Sequence, residues 1–163
     1  MNWEVECQKI SRGIRERVLE HTINHGGYLS QACSSAEIFS ILYNKSMKLG
    51  PSEGLFSTHK FEGTPSVNNP HPQKGFLYNG AKNPDLDRFF LSPSHYALTL
   101  YAALIETKRL NDKSLKEFNK DGSVLDMIGS EHSPGHETNG GSFGQTISCL
   151  LYTSDAADDV ASV

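Results

Sequence analysis

Long apolar runs, a basic excess and paired cysteines are all missing from this sequence. No stretch approaches the roughly 20 apolar residues a membrane-spanning helix needs, and no charged-then-apolar leader opens the chain, so no membrane partner is expected. Lysine and arginine number 15 against 19 aspartates and glutamates, a formal net charge of -4. A nucleic-acid binder would carry a basic face, so nucleic acid is not an expected partner either. Cysteine occurs three times, at Cys7, Cys33 and Cys149, an odd number without metal or redox spacing. Reduced thiols in a cytoplasmic setting are therefore the expectation. The dinucleotide fingerprint and the P-loop are absent too, since neither the G-x-G-x-x-G spacing nor a Gly-Lys-Ser/Thr ending occurs.

What is present is the composition of a globular domain: 163 residues, 37% hydrophobic, with 14 glycines. That is one domain's worth of chain, long enough to bury a core. Trp3 to His25 reads as an amphipathic helix, with Ile10, Ile14, Val18, Leu19 and Ile23 along its apolar side and Gly26-Gly27 ending it. Tyr28 to Cys33 reads as a loop. Ser34 followed by Glu37, ahead of Ile38, Phe39, Ile41 and Leu42, predicts a capping-box helix start reaching about Met47.

Leu49 to Pro84 is rich in Gly, Pro, Asn and Ser and has no sustained period, which predicts a long surface loop. His59 and His71 lie in it with no metal-ligand spacing and are expected to be solvated. Farther on, Asp112 to Asn119 predicts a short helix held by Leu115 and Phe118, and Asp121-Gly122-Ser123 a turn. Val124 to Ile128 is compatible with an extended run or one helical turn.

Two stretches carry the chemistry. In Asp85-Leu86-Asp87-Arg88-Phe89-Phe90-Leu91-Ser92-Pro93-Ser94-His95, the apolar run has strand length and Pro93 forces a turn. Ser94 then caps a helix whose apolar face is Leu98, Tyr101, Ala102 and Ile105. His95 would sit in the first helical turn at a strand's carboxyl end, where α/β sheets bind ligands. Downstream comes Pro134-Gly135-His136-Glu137-Thr138-Asn139-Gly140-Gly141-Ser142-Phe143-Gly144-Gln145. Its glycines let backbone approach a ligand, and N–H groups at a helix opened by Ser142 or Gly144 would favour an anion.

Together these stretches resemble the N-terminal, diphosphate-binding domain of the transketolases, which are thiamine diphosphate enzymes. That family carries an aspartate-arginine-phenylalanine strand, a serine-x-x-histidine turn, then proline-glycine-x-glutamate leading into threonine-glycine-serine-leucine-glycine-glutamine. The resemblance runs from about Gln8 to Ser148. It implies an α/β fold, a partial thiamine diphosphate-binding fold with a parallel sheet flanked by helices, helix-rich in this segment.

The activity implied is transfer of a two-carbon ketol unit between sugar phosphates, using thiamine diphosphate and Mg2+. His95 would donate a hydrogen bond to the cofactor diphosphate, and Gly141, Ser142 and Phe143 would line the cofactor, with Phe143 replacing the family's leucine. His132 is a candidate for a third family histidine, although an ungapped count puts Ile128 there, and the resemblance makes His95 and His132 the expected catalytic residues. Tyr28 stands where the family has a histidine near the first helix end, with His25 close by in sequence. His136 is expected to be structural, and Glu137 an ion-pair or loop-bracing residue. Partners implied are sugar phosphates and either a second copy in a homodimer or a complementary C-terminal subunit.

The family's glycine-aspartate-glycine motif and its asparagine, the magnesium ligands, do not occur in this chain, and neither does the glutamate that activates the aminopyrimidine. No metal ligand is therefore assigned. The run from Cys149 to Asp158 matches the translation of a common sequencing-adapter end. Residues 1–148 are thus expected to be a truncated transketolase-like domain, inactive by itself, and 149–163 a non-native tail. Two other readings stay open: another thiamine diphosphate enzyme, such as deoxyxylulose phosphate synthase or a ketoacid dehydrogenase component, and a non-catalytic anion-binding or assembly module.

Overall fold

The computed structural model describes residues 2–54, 58–138 and 140–160, with 153–160 as backbone only. Helix α1 spans Trp3–His25. The Asn2 side chain accepts from the Glu4 N–H, Glu4 and Glu6 favour the dipole's positive end, and Gly26 terminates it at φ 77°. Its buried stripe is Cys7, Ile10, Ser11, Ile14, Val18 and His21. Leu19 and Ile23, expected on that stripe, are 47% and 73% exposed, and His21 takes the inward position instead.

Helix α2 spans Leu29–Ile41, continued by one π-helical turn over Leu42–Ser46. The expected loop at Tyr28–Cys33 is therefore largely helical, and Ser34 and Glu37 lie inside a helix rather than at its start. The Ser34 and Ser35 hydroxyls bond back to the Gln31 carbonyl, and Glu37 pairs with Arg15 of α1. Ala32, Ala36 and Phe39 face inward, while Ile38 and Ile41 are exposed.

Helix α3 spans Ala97–Glu106 and is entered through a 3-10 turn at Ser94–Tyr96. It is apolar on every side, and Ala97 through Ile105 are all buried, as such a composition requires. Helices α1, α2 and α3 pack on one another around it. Gly13 makes the α1–α3 approach close: a Cβ there would collide with the Glu106 carboxylate, which pairs with Arg17 one turn along α1. Asp112–Glu117 forms the expected short helix, a 3-10 one, with Leu115 and Phe118 buried, and Gly122 sits in the expected turn. Val124 and Leu125 are buried without forming a helical turn.

Most of the 49–84 segment is irregular, as expected, but it is not all surface. A 3-10 turn at Gly75–Asn79 drives Tyr78 and Asn79 fully into the core. His71 is exposed, whereas His59 is half-buried beside the Tyr78 hydroxyl, and burial lowers its pKa.

The helix-rich part of the expected architecture is present; the parallel sheet is not formed among the described residues. The 88–91 run takes no regular secondary structure, since a ladder needs a neighbouring strand and none is formed among the described residues. Its polar groups bond elsewhere: the Asp87 N–H to the Lys48 carbonyl, the Phe89 N–H to the Glu137 carboxylate, and the Ser94 N–H to the Gly140 carbonyl. Helix α4, Gln145–Val160, is a single element that crosses position 149 without a break.

Candidate functional site

The two motif stretches, far apart in sequence, are held together by one carboxylate. Glu137, whose side chain is 3% exposed, accepts from Arg88 Nε at 2.8 Å, from the Phe89 N–H at 3.1 Å and from Asn79 Nδ2 at 3.0 Å. Arg88 also donates to the Gly80 and Ala81 carbonyls, and Asn79 donates to the Gly135 carbonyl while accepting from the Tyr43 hydroxyl. A buried charge pair needs such hydrogen bonds to be tolerated, and of the Arg88 nitrogens only Nη2 has no partner among the described residues. Burial pushes the enclosed Tyr43 phenol well above its ordinary range, so it remains a donor. The bracing role expected for Glu137 is thus met, with Asn79 as an unanticipated member drawn from a segment that reads as loop.

The clamp brings His95 to the glycine loop. The His95 ring stacks on Phe143 with centroids 5.4 Å apart and planes 16° from parallel. Tyr28, where the resemblance places a histidine, meets the His95 ring edge-on at 5.5 Å. Phe143 is 78% exposed, and Gly141 and Ser142 are exposed beside it. Gly144, at φ 78°, turns the chain into α4, which opens at Gln145.

Four buried polar atoms of the two motif stretches have no partner among the described residues: Ser94 Oγ, His95 Nδ1, Thr138 Oγ1 and Thr146 Oγ1. Ser94 is therefore not the helix cap its position predicted; its hydroxyl has no partner among the described residues. Gly140 keeps this space open, because a Cβ there would lie 2.6 Å from Thr146 Oγ1 and 3.2 Å from both Ser94 Oγ and the Leu91 carbonyl oxygen. Unsatisfied buried hydroxyls are costly and point to a polar group that joins them. The Ser94 and Thr146 hydroxyls, held around Gly140, suit an oxygen-rich group such as a diphosphate. The spacing of serine and histidine marked His95 in the sequence; Thr146, inside what reads as helix, carried no such signal.

His132 belongs to a second cluster. Its Nε2 lies 2.7 Å from Asp126 Oδ2, its ring packs 4.5 Å from Phe61, and Ser130 Oγ lies against it. Ser130 is 3.0 Å from Nδ1 and 2.9 Å from Nε2. An oxygen that near both ring nitrogens sits over the ring face, since in the plane it would strike Cε1. Neither nitrogen's lone pair points there, so this is not a serine nucleophile with its base. No described contact joins this cluster to His95. Partial burial of Asp126 acts to raise its pKa, but hydrogen bonds from His132, Ser133 and Ser130, with the His132 charge, more than offset that and hold it below the ordinary carboxylate value.

His136 is fully buried against Tyr101, with Nε2 unpartnered, and burial lowers its pKa to about 4. It is structural, as its place in the motif suggested. His25 packs beside His21 at the end of α1. Among the described residues no three His, Cys, Asp or Glu side chains converge as a metal site, and no helix is long and apolar enough to cross a membrane.

No protein-family model matches the chain. It is 31% identical over 137 residues to the transketolase family protein y4mO of Sinorhizobium fredii, an alignment covering 80% of this chain and 39% of that protein. To Transketolase-like protein 2 of Homo sapiens it is 27% identical over 163 residues, covering 95% of this chain and 22% of that protein. The chain thus spans about two fifths and about one fifth of these relatives' own lengths.

Proposed function

The chain belongs to the transketolase family, and on that premise we propose that it supplies the diphosphate-binding part of a thiamine diphosphate enzyme. The reaction is transfer of a two-carbon ketol unit between sugar phosphates. The observation that carries this reading is the stacking of His95 on Phe143 beside the unpartnered Ser94 and Thr146 hydroxyls that flank Gly140. When bound, thiamine diphosphate supplies the electron sink for cleaving a carbon–carbon bond beside a carbonyl.

This chain's residues bind and orient. His95, Ser94 and Thr146 would hold phosphate oxygens, and backbone around Gly141, Ser142 and Phe143 would line the cofactor. Phe143 covers one face of the His95 imidazole, narrowing its access to water. Glu137 and Arg88 fix the separation of the two motif stretches, so that site geometry is set before any ligand arrives. The magnesium ligands would come from outside this chain's motifs, and the second half of the site from a C-terminal segment, subunit or second copy.

The test is ketol transfer by the full-length product of the gene, supplied with thiamine diphosphate, Mg2+, a ketose phosphate donor and an aldose phosphate acceptor. Transfer dependent on the cofactor is expected. Its absence across donor sugars, with the cofactor bound, would exclude the reaction.

A further inference from the structure

The plane of the His95 imidazole is set by rings rather than by a hydrogen bond at its inner nitrogen. Nδ1 is buried and has no partner among the described residues. The second torsion of a histidine is broad, so rotamer preference does not fix the plane either. Two ring contacts remain: Phe143 in a parallel stack at 5.4 Å and 16°, and Tyr28 at 5.5 Å and 63°. They come from separate elements, Phe143 from the glycine loop and Tyr28 from the residue that leads into α2.

Backbone places the stack. The Ser94 N–H donates to the Gly140 carbonyl at 3.1 Å, which pins the glycine loop to the turn carrying His95. Three residues beyond that bond, Phe143 extends over the imidazole and stays 78% exposed. A side chain so exposed contributes little to the core, and among the described residues its ring contact is with His95.

We propose that the Phe143 side chain is a positioning residue for His95: stacked on the imidazole, with Tyr28 as the second contact, it fixes the plane in which the ring N–H donates to a phosphate oxygen. This rests on the diphosphate reading above. A parallel stack covers a face and leaves the in-plane nitrogens open, so it orders the donor without blocking it. A ring ordered before the anion arrives loses less freedom on binding, and the difference appears as affinity. Leucine is the informative replacement, because it keeps apolar bulk but has no flat face. Tyrosine keeps the face. No bond is made or broken in this role.

The test uses the full-length protein in two arms. In the first, without ligand, proton–carbon NMR of the histidine rings identifies His95 by its loss in His95→Gln. Ring current from a stacked aromatic is expected to hold the His95 signals upfield in the unmodified protein and in Phe143→Tyr. In Phe143→Leu they are expected to move downfield toward those of a free imidazole. Identical His95 signals in Phe143→Leu and the unmodified protein overturn the stack.

The second arm is calorimetric titration, with Mg2+, of inorganic pyrophosphate and of thiamine diphosphate. Phe143→Leu is expected to weaken both by about 2–10-fold, and Phe143→Tyr to keep both within about twofold of the unmodified protein. Unchanged affinities in Phe143→Leu overturn the positioning role. Weakening for thiamine diphosphate alone also overturns it, since Phe143 would then act on the heterocycle rather than through His95. If the unmodified protein binds neither probe, the diphosphate reading falls and this role with it, while the first arm still decides the stack by itself.

Discussion

Arg88 and Glu137, 49 positions apart, meet at 2.8 Å in an environment where the glutamate side chain is 3% exposed. That contact ties the stretch carrying His95 to the stretch carrying Phe143. Removing one partner leaves a buried charge alone, which costs about 3–5 kcal/mol. Glu137→Ala should lower unfolding stability by that amount, measured by urea titration. Glu137→Gln should cost less, because its amide oxygen still accepts from Phe89 or Asn79. Equal stability of Glu137→Ala and the unmodified chain would show that the clamp is not structural.

His136 gives the chain an acid-sensitive stability. Its folded pKa is lowered to about 4, first by burial, against an ordinary value near 6.5. Between those values the unfolded chain binds a proton that the folded chain does not, so stability falls as pH drops through that window. The full effect is about 3 kcal/mol, with the slope flattening again below about pH 4. His136→Leu should remove this slope in urea titrations run between pH 4 and 7. A slope equal to that of the unmodified chain would assign the effect to other groups.

Gly75 marks where the long segment enters the core. Its N–H donates to the Glu131 carbonyl and its carbonyl accepts from Gly135, while a Cβ would collide with the Ser133 carbonyl. Backbone cannot yield as a side-chain tip does, so Gly75→Ala should destabilise by about 1–3 kcal/mol. Gly63→Ala, where nothing lies within 4 Å but φ is +90°, should cost less. Thermal melts of the two variants make the comparison, and the reverse order would show that the 75–80 turn is not docked as described.

Much of this was readable from residue order. The α1 repeat with its glycine stop, the apolar 97–105 run and the Asp112 helix follow from periodicity and caps, because those signals are local. The α2 start was misplaced because Ser34 and Glu37 mimic a capping box, whereas Ser34 and Ser35 bond back to Gln31 within a helix already running. Whether Arg88 to Leu91 joins a sheet depends on a neighbouring strand, which no local pattern supplies.

Tyr78 and Asn79 sit in a Gly- and Pro-rich stretch whose composition reads as surface, and only their long-range contacts bury them. At the candidate site, the serine–histidine and glycine motifs marked His95, Gly141, Ser142 and Phe143. The Asp126 partner of His132 and the Thr146 hydroxyl depend on chain paths that spacing does not encode.

The most direct measurement is calorimetric titration of thiamine diphosphate with Mg2+ into the full-length protein and its His95→Ala and His71→Ala variants. A hydrogen bond to a charged group contributes about 1.5–3 kcal/mol, or roughly 10–100-fold in Kd. Predicted is saturable binding, weakened by that factor in His95→Ala and unchanged in His71→Ala, whose side chain is solvent-exposed. Equal affinity in all three proteins, or no saturable binding at all, would contradict the placement of the diphosphate at His95.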